Sequence, residues 1–200
     1  MKLSKIGRIL KREKRIITVR VGGTQWIGSG SCFYPINNMP QLDENALCTL
    51  FEIPAEKRED FTISEISIPA GVSFDDSTAG EMLINKAPME IIFEGRVLSV
   101  LKTQQGALFL NSRYLVPFTD EKNGFELYER TDGSGRQYIA VKSGFILLGI
   151  IMPVSVNLVI FAKELEELQA HCLVRMANNE ERAEQEAYQM GLVGEEEEDE

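Results

Sequence analysis

"SGFILLGIIMPVSVNLVIFA", residues 143–162, holds no charged side chain over twenty positions, and its reading decides the fold. Twenty apolar residues are enough for a helix to cross a bilayer. Pro153 stands near the middle, however, with Gly149, Ser155 and Asn157 around it. A proline inside a helix costs about 3 kcal/mol unless neighbouring groups satisfy the freed carbonyl. A buried strand over 144–152 that turns at Pro153 into a helix accounts for the same residues and for the proline. We therefore read the segment as part of a folded domain, with no membrane partner.

Upstream, residues 62–152 read as β-rich. Branched and aromatic residues predict strands at 62–68, 89–94, 96–102, 107–112, 125–130, 136–142 and 144–152. "TQQGA" and "TDGSGR" separate two pairs of these strands and carry the glycines that hairpin turns demand. "DDSTAGEMLI", 75–84, predicts a loop and a brief helix. Nearer the start, "RIITVRV" reads as a strand, and "GGTQWIGSGSCFYP" as a turn followed by extended chain through Trp26. Leu42, Ala46, Leu47, Leu50 and Phe51 form an apolar stripe between two prolines, with Asp43 and Glu44 in the first turn. Acids there suit the positive end of a helix dipole, so a short helix is expected near 42–51. Downstream of Pro153, Phe161, Leu165, Leu168, Cys172 and Met176 step by four, three, four and four, the pattern of an amphipathic helix that docks on a partner or a second copy. The expected class is α+β: a β-rich, mostly antiparallel core, a short helix near 42–51 and a C-terminal amphipathic helix. The expected division is a basic arm over 1–16, the α+β domain over 17–154, the helix over 155–190 and an acidic tail over 191–200. Within the arm, Leu3, Ile6 and Leu10 at spacings of three and four suit a short basic amphipathic helix.

Hydrophobic and charged fractions of 44% and 26% are those of a chain that buries a core rather than of a disordered one. The net charge of -10 is unevenly spread. Residues 1–20 carry eight Lys or Arg against one Glu, a net +7, which leaves -17 on the rest. Six acids, Glu195–Glu200, close the chain. Charged ends of opposite sign are the usual mark of segments that meet a partner. Three cysteines, Cys32, Cys48 and Cys172, without a secretory leader, predict a reducing, cytoplasmic setting rather than a disulfide framework.

Chemical motifs are sparse. His171 is the sole histidine, and its neighbour Cys172 lies about 100° away around a helix, so the two do not face each other. No paired Cys-x-x-Cys, second histidine or carboxylate loop offers a metal site, and no cofactor is implied. "VGGTQWIGSGS" lacks the Lys-Ser/Thr of a phosphate loop, and its glycines read as turn formers. Asp75 and Asp76 are adjacent carboxylates and read as turn or cap residues. No catalytic residue is assigned.

Electrostatics remain. Lys2, Lys5, Arg8, Lys11, Arg12, Lys14 and Arg15 are candidate phosphate contacts, and Trp26, with Phe33 and Tyr34, a candidate stacking face. The acidic tail is expected to screen the basic arm until a polyanion displaces it. Three stretches, "QWIGSGSCFYPINNMPQLDENALCTLFEIPAEKRE", "FLNSRYLVPF" and "FELYER…YIAVKSGF", resemble an uncharacterised protein group of phages and mobile elements of Gram-positive bacteria. The resemblance, within 25–145, implies a bacterial cytoplasmic role in genome replication or in countering host defences, and no catalytic residue. The function expected is a non-enzymatic binding protein acting on nucleic acid or on a nucleic-acid-binding protein. The alternative is an assembly protein that forms a homo-oligomer through its C-terminal helix.

Overall fold

Ten strands pair into one sheet in the computed structural model, which describes residues 3–195. They are β1 (Arg15–Val21), β2 (Thr24–Gly28), β3 (Cys32–Ile36), β4 (Thr62–Glu65), β5 (Met82–Phe93), β6 (Arg96–Thr103), β7 (Gly106–Asn111), β8 (Glu126–Thr131), β9 (Gln137–Ser143) and β10 (Ile146–Ile151). Their spatial order is β4-β1-β2-β3-β10-β9-β8-β5-β6-β7. The β1–β4 pairing is parallel and the others are antiparallel. Helices α1 (Leu3–Glu13), α2 (Glu44–Leu50) and α3 (Leu158–Glu195) complete an α+β, β-rich fold. Two units divide the chain, Met1–Ser155 and Val156–Glu200, and α3 belongs to the second.

The opening stretch is explained by burial on both faces of the sheet. On β10, Ile151 belongs to a core cluster with α1 and α2, whereas Leu147 and Ile150 belong to a second cluster under Val72 and Phe74. A strand covered on both sides reads as a continuous apolar run, because neither face has to be polar. The same holds for β9, where Ile139 and Val141 face one cluster and Tyr138 and Ala140 the other. Beyond Pro153 the chain enters α3 with Asn157 at its start, whose Oδ1 accepts from the Ile160 amide at 3.3 Å. Among the described residues, no helix is long and apolar enough to cross a membrane.

Turn chemistry pins the registers. Gly22 and Gly23, with φ of 54° and 84°, join β1 to β2 between the paired residues Val21 and Thr24. Such a two-residue turn needs positive φ at both positions, which glycine adopts without a Cβ clash. Asp132 accepts from the Ser134 and Arg136 amides at 2.8 and 2.9 Å in the β8–β9 turn. Asp43 caps α2 by accepting from the Ala46 amide at 2.8 Å.

Three expectations need correction. Residues 75–84 contain no helix: Met82–Phe93 is a single strand, paired with β8 through Met82–Ile84 and with β6 beyond, with an irregularity between Lys86 and Glu90. Pro88 lies in that irregularity, where no ladder hydrogen bond is forfeited. The change of partner along β5 also folds the sheet over, so that the Val154 amide, just after β10, donates to the Phe109 carbonyl of β7 at 2.7 Å. Secondly, α3 continues through Gly191 and Gly194 to Glu195, since glycine lowers helix propensity without the φ lock of proline. Lys2 and residues 196–200 of the expected tail lie outside the described residues.

The third correction is the largest. The expected basic amphipathic helix forms as α1, but it is docked and not a separate arm: Ile6, Ile9 and Leu10 are 0–1% exposed and belong to the main core cluster. Gly7 makes the docking possible, because a Cβ there would lie 2.8 Å from Phe51 Cδ1. Burying three such aliphatic side chains contributes roughly 1.5–3 kcal/mol each, far more than a solvated basic segment. Leu10→Ala should therefore lower unfolding stability by about 2–5 kcal/mol, whereas Lys11→Ala on the opposite face should stay within about 0.5 kcal/mol. Urea denaturation of both variants distinguishes a docked helix from an arm, for which neither change would register.

Candidate functional site

Docking α1 brings its C-terminal residues against two loops and a hairpin. The result is a recess of about 450 Å³ lined by Arg12, Glu13, Arg15, Ser29, Ser31, Glu94, Gly95, Arg96, Asn111, Arg113 and Tyr114. Four local reasons place its guanidinium groups. Arg12 sits in the last turn of α1, where a cation meets the negative end of the helix dipole. Lys14, in the left-handed region at φ 50°, turns the chain out of α1 so that Arg15 opens β1. Arg96 begins β6 directly after the positive-φ pair Glu94 and Gly95. Asn111 ends β7 and accepts from the Arg113 amide at 3.2 Å, starting the 3-10 turn Ser112–Phe118.

The electrostatics favour an anion. Among the described residues, Arg12, Arg15, Arg96 and Arg113 form no ion pair. Of the two carboxylates on the wall, Glu13 is already engaged, accepting from the Tyr114 hydroxyl at 2.7 Å. Below lies a buried hydrogen-bonded group: Tyr34 donates to the Tyr114 carbonyl at 3.0 Å, and Ser29 Oγ lies 3.5 Å from Cys32 Sγ. Burial pushes the Cys32 thiol up to about 11, so it is neutral and a poor nucleophile near pH 7. Burial likewise raises Tyr34, and burial with the Glu13 contact raises Tyr114. These groups position the recess and offer it no base.

The expected phosphate contacts divide accordingly. Arg12 and Arg15 line the recess, and Arg8 and Lys11 are exposed along α1 leading to it. Lys5 is instead paired with Asp120 at 2.7 Å and Lys14 with Asp60 at 3.2 Å. Trp26 is 5% exposed and meets Phe74 edge-on at 4.9 Å, while Phe33 and Tyr34 are buried, so none presents a face to a base. The C-terminal set Phe161, Leu165, Leu168, Cys172 and Met176 lies on the single helix α3, with Leu165, Leu168 and Met176 44–59% exposed. Arg96 and Arg113 escape spacing rules, because residues far apart in the chain meet them only after the sheet folds over.

Other candidates are structural. Asp75 accepts from Ser73 Oγ at 2.9 Å, and Asp76 accepts from the Leu147 amide at 2.8 Å, where the β9–β10 register shifts. A second recess of about 460 Å³ is largely apolar, and four of its polar side chains, Lys86, Glu90, Ser99 and Ser112, bond to one another. There Glu90 accepts from Lys86, Ser99 and Ser112 at 2.7, 3.2 and 3.1 Å, which holds it below the usual carboxylate range. Among the described residues, no group of three or more His, Cys, Asp or Glu is placed to hold a metal ion.

Fold and site together define an α+β protein whose prominent chemical feature is an arginine-lined recess. Comparison with protein-family models, curated proteins and solved structures finds no match.

The buried acids have a consequence for stability. A thiol whose folded value is raised holds its proton more tightly in the folded state. The stability it lends is complete below the unfolded value of 9.0 and is lost as pH rises toward about 11. Tyr34 and Tyr114, raised above 10.0, extend the loss to higher pH. Urea midpoints should therefore fall steadily above pH 9 and recover in part in Cys32→Ala measured against its own neutral-pH midpoint. A midpoint flat through this window contradicts the burial of these groups.

Proposed function

We propose that this is a non-enzymatic, cytoplasmic binding protein that holds nucleic acid through the phosphates of its backbone. It serves replication or counter-defence in a phage or mobile element, the role implied by the resemblance over 25–145. The observation that supports binding is the recess itself, with four arginines free of ion pairs among the described residues and one of its two glutamates engaged by Tyr114. Guanidinium groups suit phosphate oxygens because their planar fork donates two parallel hydrogen bonds and stays charged at any physiological pH. The exposed Arg8 and Lys11 on α1 extend the positive surface beyond the recess. Local charge governs such contacts: at about 0.15 M salt the screening length is about 8 Å, so the acidity of the rest of the chain is attenuated at the recess.

Filter binding across a salt series tests the reading. Each phosphate neutralised releases counterions, so log affinity should fall linearly with log salt. Arg96→Gln combined with Arg113→Gln should weaken binding by about tenfold or more and make the slope shallower by roughly one for each arginine replaced. A weak response that does not change with salt removes the proposal.

A further inference from the structure

We infer that the recess takes the backbone of a single strand and reads no base, an inference that rests on the nucleic-acid reading above and specifies its ligand. The first ground is shape. The arginines lie on the walls of a concavity of about 450 Å³, closed in by the end of α1, the β2–β3 loop, the β5–β6 turn and the end of β7. A duplex carries its phosphates on a stiff, convex cylinder whose persistence length is about 150 base pairs, and such a ridge meets the rim rather than the floor. A single strand bends within a few nucleotides and turns a phosphate inward.

The second ground is the absence of a reading surface on the recess walls. Sequence-tolerant single-strand grooves often add aromatic platforms on which bases stack. Here the one lining aromatic, Tyr114, is 6% exposed, and its hydroxyl is committed to Glu13. Asn111, the side chain best suited to an adenine edge, has its Oδ1 committed to the Arg113 amide. Ser29 Oγ is turned to Cys32. What remains facing the ligand is four guanidinium groups beside Ser31 and the Glu94 carboxylate, and the planar fork of a guanidinium matches two phosphate oxygens.

The third ground is continuity. Arg8, Lys11 and Arg12 stand at i, i+3 and i+4 on α1, so they share one helix face, and that face runs into the recess at Arg12. The bases of the helix thus form a track for a flexible chain, with the recess at its end.

Fluorescence anisotropy with the full chain tests this directly, using labelled oligothymidine, labelled oligoadenine, a mixed-sequence strand and its blunt duplex, all of one length. The single strands should bind at least about tenfold more tightly than the duplex. Their mutual differences should stay within about threefold, and their log–log salt slope should reflect about 0.7 per phosphate contact. Arg15→Gln and Arg113→Gln should each weaken all three strands by a similar factor. Duplex binding equal to or tighter than single-strand binding, or a tenfold preference among the strands, overturns the inference and leaves phosphate binding standing. No salt-dependent binding of either form overturns both.

Discussion

Burial of Ile6, Ile9 and Leu10 is the contact on which the rest of this structure depends. It joins the most basic segment of the chain to the inside of the sheet, against α2 and the 3-10 turn Ser112–Phe118. Gly7 permits the approach to Phe51, and Lys14 then accepts a left-handed conformation to return the chain to β1. That conformation costs a non-glycine residue about 1–2 kcal/mol, well within what the three buried aliphatics provide. Arg12, Glu13 and Arg15 are consequently fixed in place. The charge at the start of the chain is one wall of a formed site.

The second constraint is that the sheet is covered on both faces. α1 and α2 lie on one, and the segment between β4 and β5 lies on the other with Val72 and Phe74 inward. Arg130, with a side chain 1% exposed, pins that segment by donating to Glu81 at 2.6 Å and to the carbonyls of Ser73, Asp75 and Asp76. Lys142 completes the pairing with Glu81 at 2.6 Å and lies 4.7 Å from the Tyr128 ring centre. A buried charge is tolerated only when its partners satisfy it, and here they do so by fastening an otherwise irregular segment. The adjacent aspartates 75 and 76 belong to this fastening.

Much of the architecture is legible in the sequence. Pro153 separates a strand from a helix, Gly22–Gly23 and "TDGSGR" mark their hairpins, and Asp43 marks the start of α2. Strand β5 reads short because Pro88 interrupts its pattern, and a proline is tolerated only where a ladder bond is already missing. The N-terminal helix is legible from Leu3, Ile6 and Leu10, but it reads as an arm outside the domain because seven bases over 1–16 outweigh that stripe, although charge on one face of a helix says nothing about its other face. The site is half legible. Arg12 and Arg15 stand out by local charge density, whereas Arg96 and Arg113 are isolated in apolar or turn sequence and gain meaning from the fold alone. Trp26 illustrates the converse, since an aromatic in a strand buried on both faces is core before it is surface.

Docked helix and recess stand or fall together: a mobile α1 would carry Arg12 and Glu13 away from the wall and open the concavity. Hydrogen exchange resolved by residue across Leu3–Glu13 tests this most directly. A docked α1 predicts that the amides around Ile9 and Leu10 exchange as slowly as those of β3 and β9, by opening of the whole unit. Exchange of these amides at the rate of an unstructured peptide, while β3 and β9 remain protected, would contradict the account.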